Sequence, residues 1–180
     1  MKRKIYININ IPDRTRRRLI GGIEKWQNLP VKWTKEANLC ITLFFLGYVD
    51  NEVVIDICQK VQKVVENFEI FDLDFEKIII APSNEKAQSI QVSGMASDQI
   101  RDLQTAIEKE LGIFVAEKKT FSPHITLGKI RKIQWEELTE KPIINEKISF
   151  AVNVESVDIM ASHFGEGKNG FVLIESCPLK

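Results

Sequence analysis

Alternation of apolar and polar residues is the dominant pattern in this chain of 180 residues. In the first segment, Ile5, Ile7 and Ile9 would line one face of a β-strand, and the polar residues between them would line the other. The same two-residue period predicts strands over residues 4–11, 40–47, 71–75, 87–93, 124–130, 148–154, 154–160 and 171–175. Residues 77–80 are either a continuation of the third of these strands or its hairpin partner.

A period of about 3.6 residues predicts helices between the strands. Apolar residues recur at this spacing across residues 51–68, with Lys and Glu between them, which is typical of an amphipathic helix. Further helices are predicted over residues 14–27, 97–111 and 134–140, and Ser97 is the expected N-cap of the second. The pair Gly21-Gly22 disfavours the helical conformation, so we expect a shorter helix or close packing there.

The order of these elements repeats along the chain. Strand, helix, strand, helix and strand follow one another twice, and Cys40 follows Ile9 at nearly the same separation as His124 follows Val92. Such self-similarity indicates an internal duplication, whose two copies we expect to pack as pseudo-symmetric lobes around a shared groove. Since no linker or low-complexity segment separates them, residues 1–180 are predicted to form a single domain.

Two of the predicted strands carry reactive side chains at alternate positions. His124 and Thr126 would share one face of a strand, and Cys40 and Thr42 would share the equivalent face of another. Two imidazoles across a cleft suit phosphodiester chemistry, because one can accept a proton while the other donates one. A threonine hydroxyl beside each can donate a hydrogen bond to a phosphoryl oxygen. The pattern therefore predicts two strands that present chemistry to a cleft, with a histidine on one strand and a cysteine at the equivalent position of the other.

Composition narrows the classes of protein that fit. Hydrophobic residues make up 44% of the chain, charged residues 28%, and the formal net charge is zero, so any anion site has to be local. No apolar run reaches the roughly 18–20 residues that span a bilayer, and the N-terminus lacks the apolar core of a signal peptide. The three cysteines have no spacing typical of disulfide frameworks or zinc sites, and no carboxylate cluster suggests a metal. We expect a cytoplasmic monomer that needs no metal or other cofactor.

A group of arginines begins the first predicted helix. Its members are Arg14, Arg16, Arg17 and Arg18. The group is either the solvated face of a helix, which we favour, or a patch that contacts phosphate.

The two motif strands resemble those of a known family. The first copy reads Asn-Leu-Cys-Ile-Thr-Leu-Phe-Phe-Leu-Gly and ends at Gly47, and the second reads Ser-Pro-His-Ile-Thr-Leu and ends at Leu127. Paired His-x-Thr-Leu motifs in this context, with the opening strand-Pro-helix and the closing Pro178-Leu179, resemble the 2H phosphoesterase superfamily. Within it, nearly the whole chain is similar to the RNA 2',3'-cyclic phosphodiesterases, also called 2'-5' RNA ligases.

This resemblance implies an α+β fold with two lobes of antiparallel sheet, helices packed outside and a central groove. It also implies metal-independent hydrolysis of a 2',3'-cyclic phosphate at an RNA 3' end to a 2'-phosphate, with 2'-5' ligation as the reverse reaction. His124 would be the general base, and Thr42 and Thr126 would hold the phosphate. Lys129 stands where relatives often have arginine and would contact the phosphate more weakly. Phe45 is interpreted equally well as a stacking surface for the terminal base or as a core residue.

Cys40 departs from the family pattern, in which the first histidine, the general acid, occupies this position. A thiol is mostly protonated at neutral pH, but it is uncharged and a weak hydrogen-bond donor. It therefore cannot stabilise a developing phosphorane as an imidazolium would, and losing one proton-transfer partner costs on the order of 10²- to 10⁴-fold in rate. A nucleophilic role for Cys40 is disfavoured. It is also disfavoured that His163, the other histidine of the chain, replaces the histidine missing at position 40.

Three interpretations of Cys40 remain open. It is a poor acid in a slow enzyme, it marks a site that binds phosphorylated ends without turnover, or it was introduced by substitution to trap a ligand. The alternative function is accordingly a degenerate 2H domain that binds RNA ends or small cyclic nucleotides. A further alternative keeps the enzyme but gives it linear 2'-5' linkages or small cyclic-phosphate nucleotides as substrates.

Overall fold

The computed structural model describes residues 2–113, 121–163 and 170–180. The helices are α1 (Asp13–Ile23), α2 (Asn51–Val65), α3 (Asp98–Leu111) and α4 (Lys132–Glu136). The strands are β1 (Lys2–Asn10), β2 (Val31–Trp33), β3 (Cys40–Asp50), β4 (Phe71–Ala81), β5 (Ser89–Gly94), β6 (His124–Ile130), β7 (Asn145–Val154), β8 (Ser156–His163) and β9 (Gly170–Pro178). Short 3-10 turns lie at Glu24–Trp26 and Glu36–Asn38.

All the described strands belong to one antiparallel sheet. Eight of them follow the order β7-β4-β5-β6-β3-β1-β8-β9, and the short β2 pairs with β6. The sheet divides at the central pair, β3 with β6, into two halves of four strands each, and it does not close into a barrel. This is the sheet-rich α+β architecture with two pseudo-symmetric lobes that the resemblance implies.

The two halves are equivalent, but neither is formed by one sequence repeat. β1 and β3 of one half correspond to β5 and β6 of the other. β4 belongs to the first repeat, yet it pairs with β5 and β7 of the second half, so its spatial counterpart is β8. Residues 82–88 connect β4 to β5, and strands that follow one another in sequence usually pair. The pairing of β4 with β5 therefore accounts for the place of β4 in the second half.

One hydrophobic cluster runs through both halves of the sheet. The alternating isoleucines of β1 are all buried, as their period predicts. Each long helix adds its apolar face to the cluster, represented by the fully buried side chains of Leu19 in α1, Val61 in α2 and Leu103 in α3. The described core is thus shared between the halves.

Several element boundaries differ from the predicted ones. α1 ends at Ile23, four residues before the predicted end, just after the two helix-disfavouring glycines. α4 is shorter than predicted and begins earlier, and β4 continues unbroken to Ala81, which confirms continuation over a hairpin. Ser97 caps α3 as predicted, because its Oγ accepts a hydrogen bond from the backbone N–H of Ile100 at 3.4 Å.

None of the helices in the described ranges is both long and apolar enough to cross a membrane. Those ranges also contain no group of three or more histidine, cysteine, aspartate or glutamate side chains arranged to hold a metal ion.

Candidate active site

The two motif strands meet where both of them begin, at the centre of the sheet. The isoleucines of the Cys-Ile-Thr and His-Ile-Thr motifs are paired, and both are fully buried. Extending this antiparallel register by one residue in each direction places Thr42 beside His124 and Cys40 beside Thr126. These four side chains lie on the face opposite the core and are partly exposed. The structure therefore brings together the four motif residues predicted from the sequence.

Both motif strands contain a β-bulge at the same motif position. The register of β3 against β1 shifts at Leu43, and the register of β6 against β5 shifts at Leu127. Each leucine is buried, and the alternation of faces reverses beyond it. The shared irregularity supports the equivalence of the two halves and changes which later side chains face the groove.

The bulges bring Phe45 and Lys129 onto the face of the motif residues. Without its bulge, β3 would place Phe44 on the face of Thr42, but Phe44 is buried and Phe45 is 57% exposed. Tyr6, opposite Phe45 on β1, packs against its ring at a centroid separation of 4.8 Å. Lys129 is likewise exposed. Of the two interpretations of Phe45, the exposure of its ring favours the stacking surface.

The imidazole of His124 is oriented by a nearby backbone group. Its Nδ1 lies 3.0 Å from the carbonyl oxygen of Ser122. Because a carbonyl oxygen can only accept, Nδ1 carries the proton in this contact, and Nε2 of the neutral ring keeps a free lone pair. This tautomer can accept a proton at Nε2, as a general base must.

The thiol of Cys40 is held in its protonated form. Burial raises the pKa of this thiol to about 11. The hydrogen-bonding contact of its Sγ with Oγ1 of Thr42, at 3.9 Å, and the charge of Arg16 lower the pKa, while Asp158 raises it further. With such a pKa, only about one thiol in 10⁴ is ionised at pH 7. Chemistry that needs a thiolate is therefore disfavoured here, and the side chain of Cys40 is present as a protonated thiol.

Arg16 is the member of the N-terminal arginine group that turns toward this site. Its guanidinium donates a hydrogen bond to the side-chain oxygen of Asn10, which lies opposite Cys40 in the register of β1 and β3. The side chain of Arg16 is 17% exposed, and its Nε has no hydrogen-bond partner among the described residues. The other three arginines of the group are exposed. The helical pattern alone did not distinguish Arg16, because its burial depends on strands β1 and β3.

One candidate from the sequence cannot be placed. The side chain of His163 lies outside the described residues, so its disfavoured role as a substitute for the missing histidine stays a prediction.

The fold and the paired motifs define the class of this protein. The model of the 2'-5' RNA ligase superfamily matches residues 12–166, which is most of the chain. The chain therefore belongs to this superfamily of 2H phosphoesterases, and the family predicted from the two motifs is confirmed.

Individual relatives agree with this assignment. The chain is 26% identical over 143 residues to the RNA 2',3'-cyclic phosphodiesterase of Thermotoga maritima, and the match covers 76% of each chain. It is 27% identical over 106 residues to the enzyme of the same name from Aeropyrum pernix, covering 57% of this chain and 59% of the relative. Both matches are at modest sequence identity.

Solved structures confirm the fold. The protein TT0787 of Thermus thermophilus superposes with a TM-score of 0.79 at 17% identity, covering 98% of this chain and 97% of its own. LigT of E. coli, solved in complex with 3'-AMP, superposes with a TM-score of 0.77 at 18% identity, covering 99% of both chains.

Proposed function

We propose that this chain is an RNA 2',3'-cyclic phosphodiesterase that works without a metal and whose rate is limited by Cys40. The observation that supports the proposal is the pairing of Ile41 with Ile125, by which the two motifs meet at the centre of the sheet. The similarity to two RNA 2',3'-cyclic phosphodiesterases supports it. The same groups would catalyse 2'-5' ligation in the reverse direction.

In the proposed reaction, water attacks the phosphorus of the cyclic phosphate, and the bond from phosphorus to the 3' oxygen breaks to leave a 2'-phosphate. Nε2 of His124 accepts a proton from the water, and the hydroxyls of Thr42 and Thr126 donate hydrogen bonds to the non-bridging oxygens. The Cys40 thiol donates its proton to the departing 3' oxygen. Because this thiol is a weak and neutral acid, Arg16 supplies the positive charge that the missing imidazolium would have carried.

The test is single-turnover hydrolysis of a short RNA that ends in a 2',3'-cyclic phosphate. We expect Cys40→His to hydrolyse it faster than the parent chain by on the order of 10²-fold, because an imidazolium is a stronger acid than a thiol and carries a positive charge. Cys40→Ser is the matched control, since it restores no imidazole and should gain nothing. His124→Ala should abolish turnover in either background. A parent chain that is already as fast as Cys40→His would contradict the role given to position 40.

The second candidate function is binding without catalysis. It is favoured by the raised pKa of the Cys40 thiol, which makes this thiol a weaker acid than an ordinary one. The same variants separate the two functions: a binding domain would hold RNA ends or small cyclic-phosphate nucleotides, and neither the parent nor Cys40→His would turn them over. The solved complex of E. coli LigT with 3'-AMP supports a site of nucleotide size.

A further inference from the structure

A basic groove lies beside the candidate active site. It encloses about 370 Å³ and is lined by ten described residues, of which three are lysines and none is a carboxylate. Lys129 comes from the motif strand β6, Lys32 from β2, and Lys35 from the segment that follows β2. Because the formal net charge of the chain is zero, this concentration of positive charge is a local property of the groove.

Two of these lysines lie directly opposite each other. Lys32 pairs with Lys129 in the antiparallel register of β2 and β6. Side chains in such a pair share one face at close range, and like charges placed there destabilise a sheet. None of the ion pairs in the described part of the chain involves either of them or Lys35. An anion bound between the two ammonium groups would relieve their repulsion.

Aromatic rings form another part of the groove wall. Tyr6 and Phe171 both line the groove, and their ring centroids lie 4.9 Å apart in an edge-on arrangement. Tyr6 also packs against the exposed ring of Phe45. Lysines beside aromatic rings are the combination that binds single-stranded nucleic acid, because cations contact the phosphates while bases stack on the rings.

We propose that this groove binds the internal phosphodiester next to the 3'-terminal nucleotide of a single-stranded RNA. The inference rests on the proposed function, because it takes the motif face as the place of the terminal cyclic phosphate. Lys129 faces both regions, so the strand passes from the motif residues over Lys129 to Lys32 and Lys35. The chain therefore acts on RNA ends in preference to mononucleotides, which have no second phosphate to reach Lys32.

The first test measures binding without catalysis. The probe is a fluorescent RNA hexamer that ends in a 2'-phosphate, the proposed product, and its affinity is measured by anisotropy over a series of salt concentrations. We expect Lys32→Gln/Lys35→Gln to weaken binding at least tenfold and to reduce the salt slope by about 0.7 for each phosphate that is no longer neutralised. Lys109→Gln is the control, since Lys109 is an exposed lysine on α3 beside a different cavity. Unchanged affinity and slope in the double variant would overturn the inference.

The second test compares substrates. We expect the parent chain to hydrolyse a hexamer with a 2',3'-cyclic end with a higher kcat/KM than adenosine 2',3'-cyclic monophosphate. The double variant should lose this preference while its turnover of the mononucleotide stays the same. Equal kcat/KM values for the two substrates in the parent chain would overturn the proposed role of the groove, but not the proposed phosphodiesterase activity. Lysine-dependent binding of RNA without any turnover would support the proposed role of the groove and overturn the proposed function.

The melting temperature of the RNA-free double variant should not fall, because the repulsion between Lys32 and Lys129 has been removed.

Discussion

At the scale of the residue, Cys40 determines the chemistry of the site, and its thiol gives a direct prediction. At pH 8, the ionised fraction of a thiol is about 10⁻³ if its pKa is about 11, and about 10⁻¹ if its pKa has the ordinary value of 9.0. We expect iodoacetamide to modify Cys40 about 100-fold more slowly in the folded chain than in urea, as measured by mass spectrometry of peptides. In the folded chain the rate should keep rising from pH 9 toward pH 11. A rate that levels off near pH 9 would show that the pKa is not raised.

Arg16 gives a second prediction at this scale. If its guanidinium replaces the missing imidazolium, Arg16→Gln lowers the rate of cyclic phosphate hydrolysis, on the order of 10²-fold for the loss of one group that stabilises the transition state. In the Cys40→His background the same change should cost less, because the imidazolium then carries the charge. Arg17→Gln, an exposed arginine of the same helix, is the control. Equal losses in the two backgrounds would contradict a shared role.

At the scale of the element, the contact of β2 with β6 depends on Gly128. A Cβ at this position would lie 2.4 Å from Cγ1 of Val31 and 3.2 Å from the backbone oxygen of Lys32. We therefore expect Gly128→Ala to lower the free energy of unfolding by about 1–3 kcal/mol, and to separate the two facing lysines of the groove. The measurement is urea unfolding of the parent and variant.

Gly21→Ala is the matched control for this change. A Cβ at Gly21 meets nothing within 4 Å, and the residue is exposed inside α1. Alanine is the better helix former, so this variant should be more stable than the parent by up to about 1 kcal/mol. If both variants shifted the midpoint in the same direction, steric contact with β2 would not explain the effect at Gly128.

At the scale of the whole molecule, the two halves are joined at more than the central strand pair. β7 lies in one half and β8 in the other, and Glu155 alone separates them. The backbone N–H of Leu179 donates a hydrogen bond to the Glu155 oxygen at 2.8 Å, which fixes the end of the chain to this junction. Because the core is also shared, we expect that the two halves do not fold independently.

This architecture predicts that the chain unfolds as a single domain. Tryptophan fluorescence and far-ultraviolet circular dichroism should give coincident transitions in urea, because neither half can lose its strands without exposing the common core. Separate midpoints for the two signals would show that the halves unfold one after the other, and the prediction of a single domain would be wrong.

The sequence by itself determined the features that depend on neighbouring residues. The period of two places the isoleucines of β1 in the core, the period of 3.6 gives α2 and α3, and Ser97 caps α3, because each depends on contacts within a few residues. The pair of motifs also identified the superfamily and selected the Cys40, Thr42, His124 and Thr126 side chains that the sheet brings together.

The tertiary structure alone decided which further side chains join them. The bulges that expose Phe45, the burial of Arg16 against Asn10, and the pairing of Lys32 with Lys129 all depend on registers between strands far apart in sequence. The placement of β4 in the other half depends on its pairing with both β5 and β7, and only the pairing with β5 is between consecutive strands. Periodicity reports the two faces of one element, whereas register and burial are set by the partner against which that element packs.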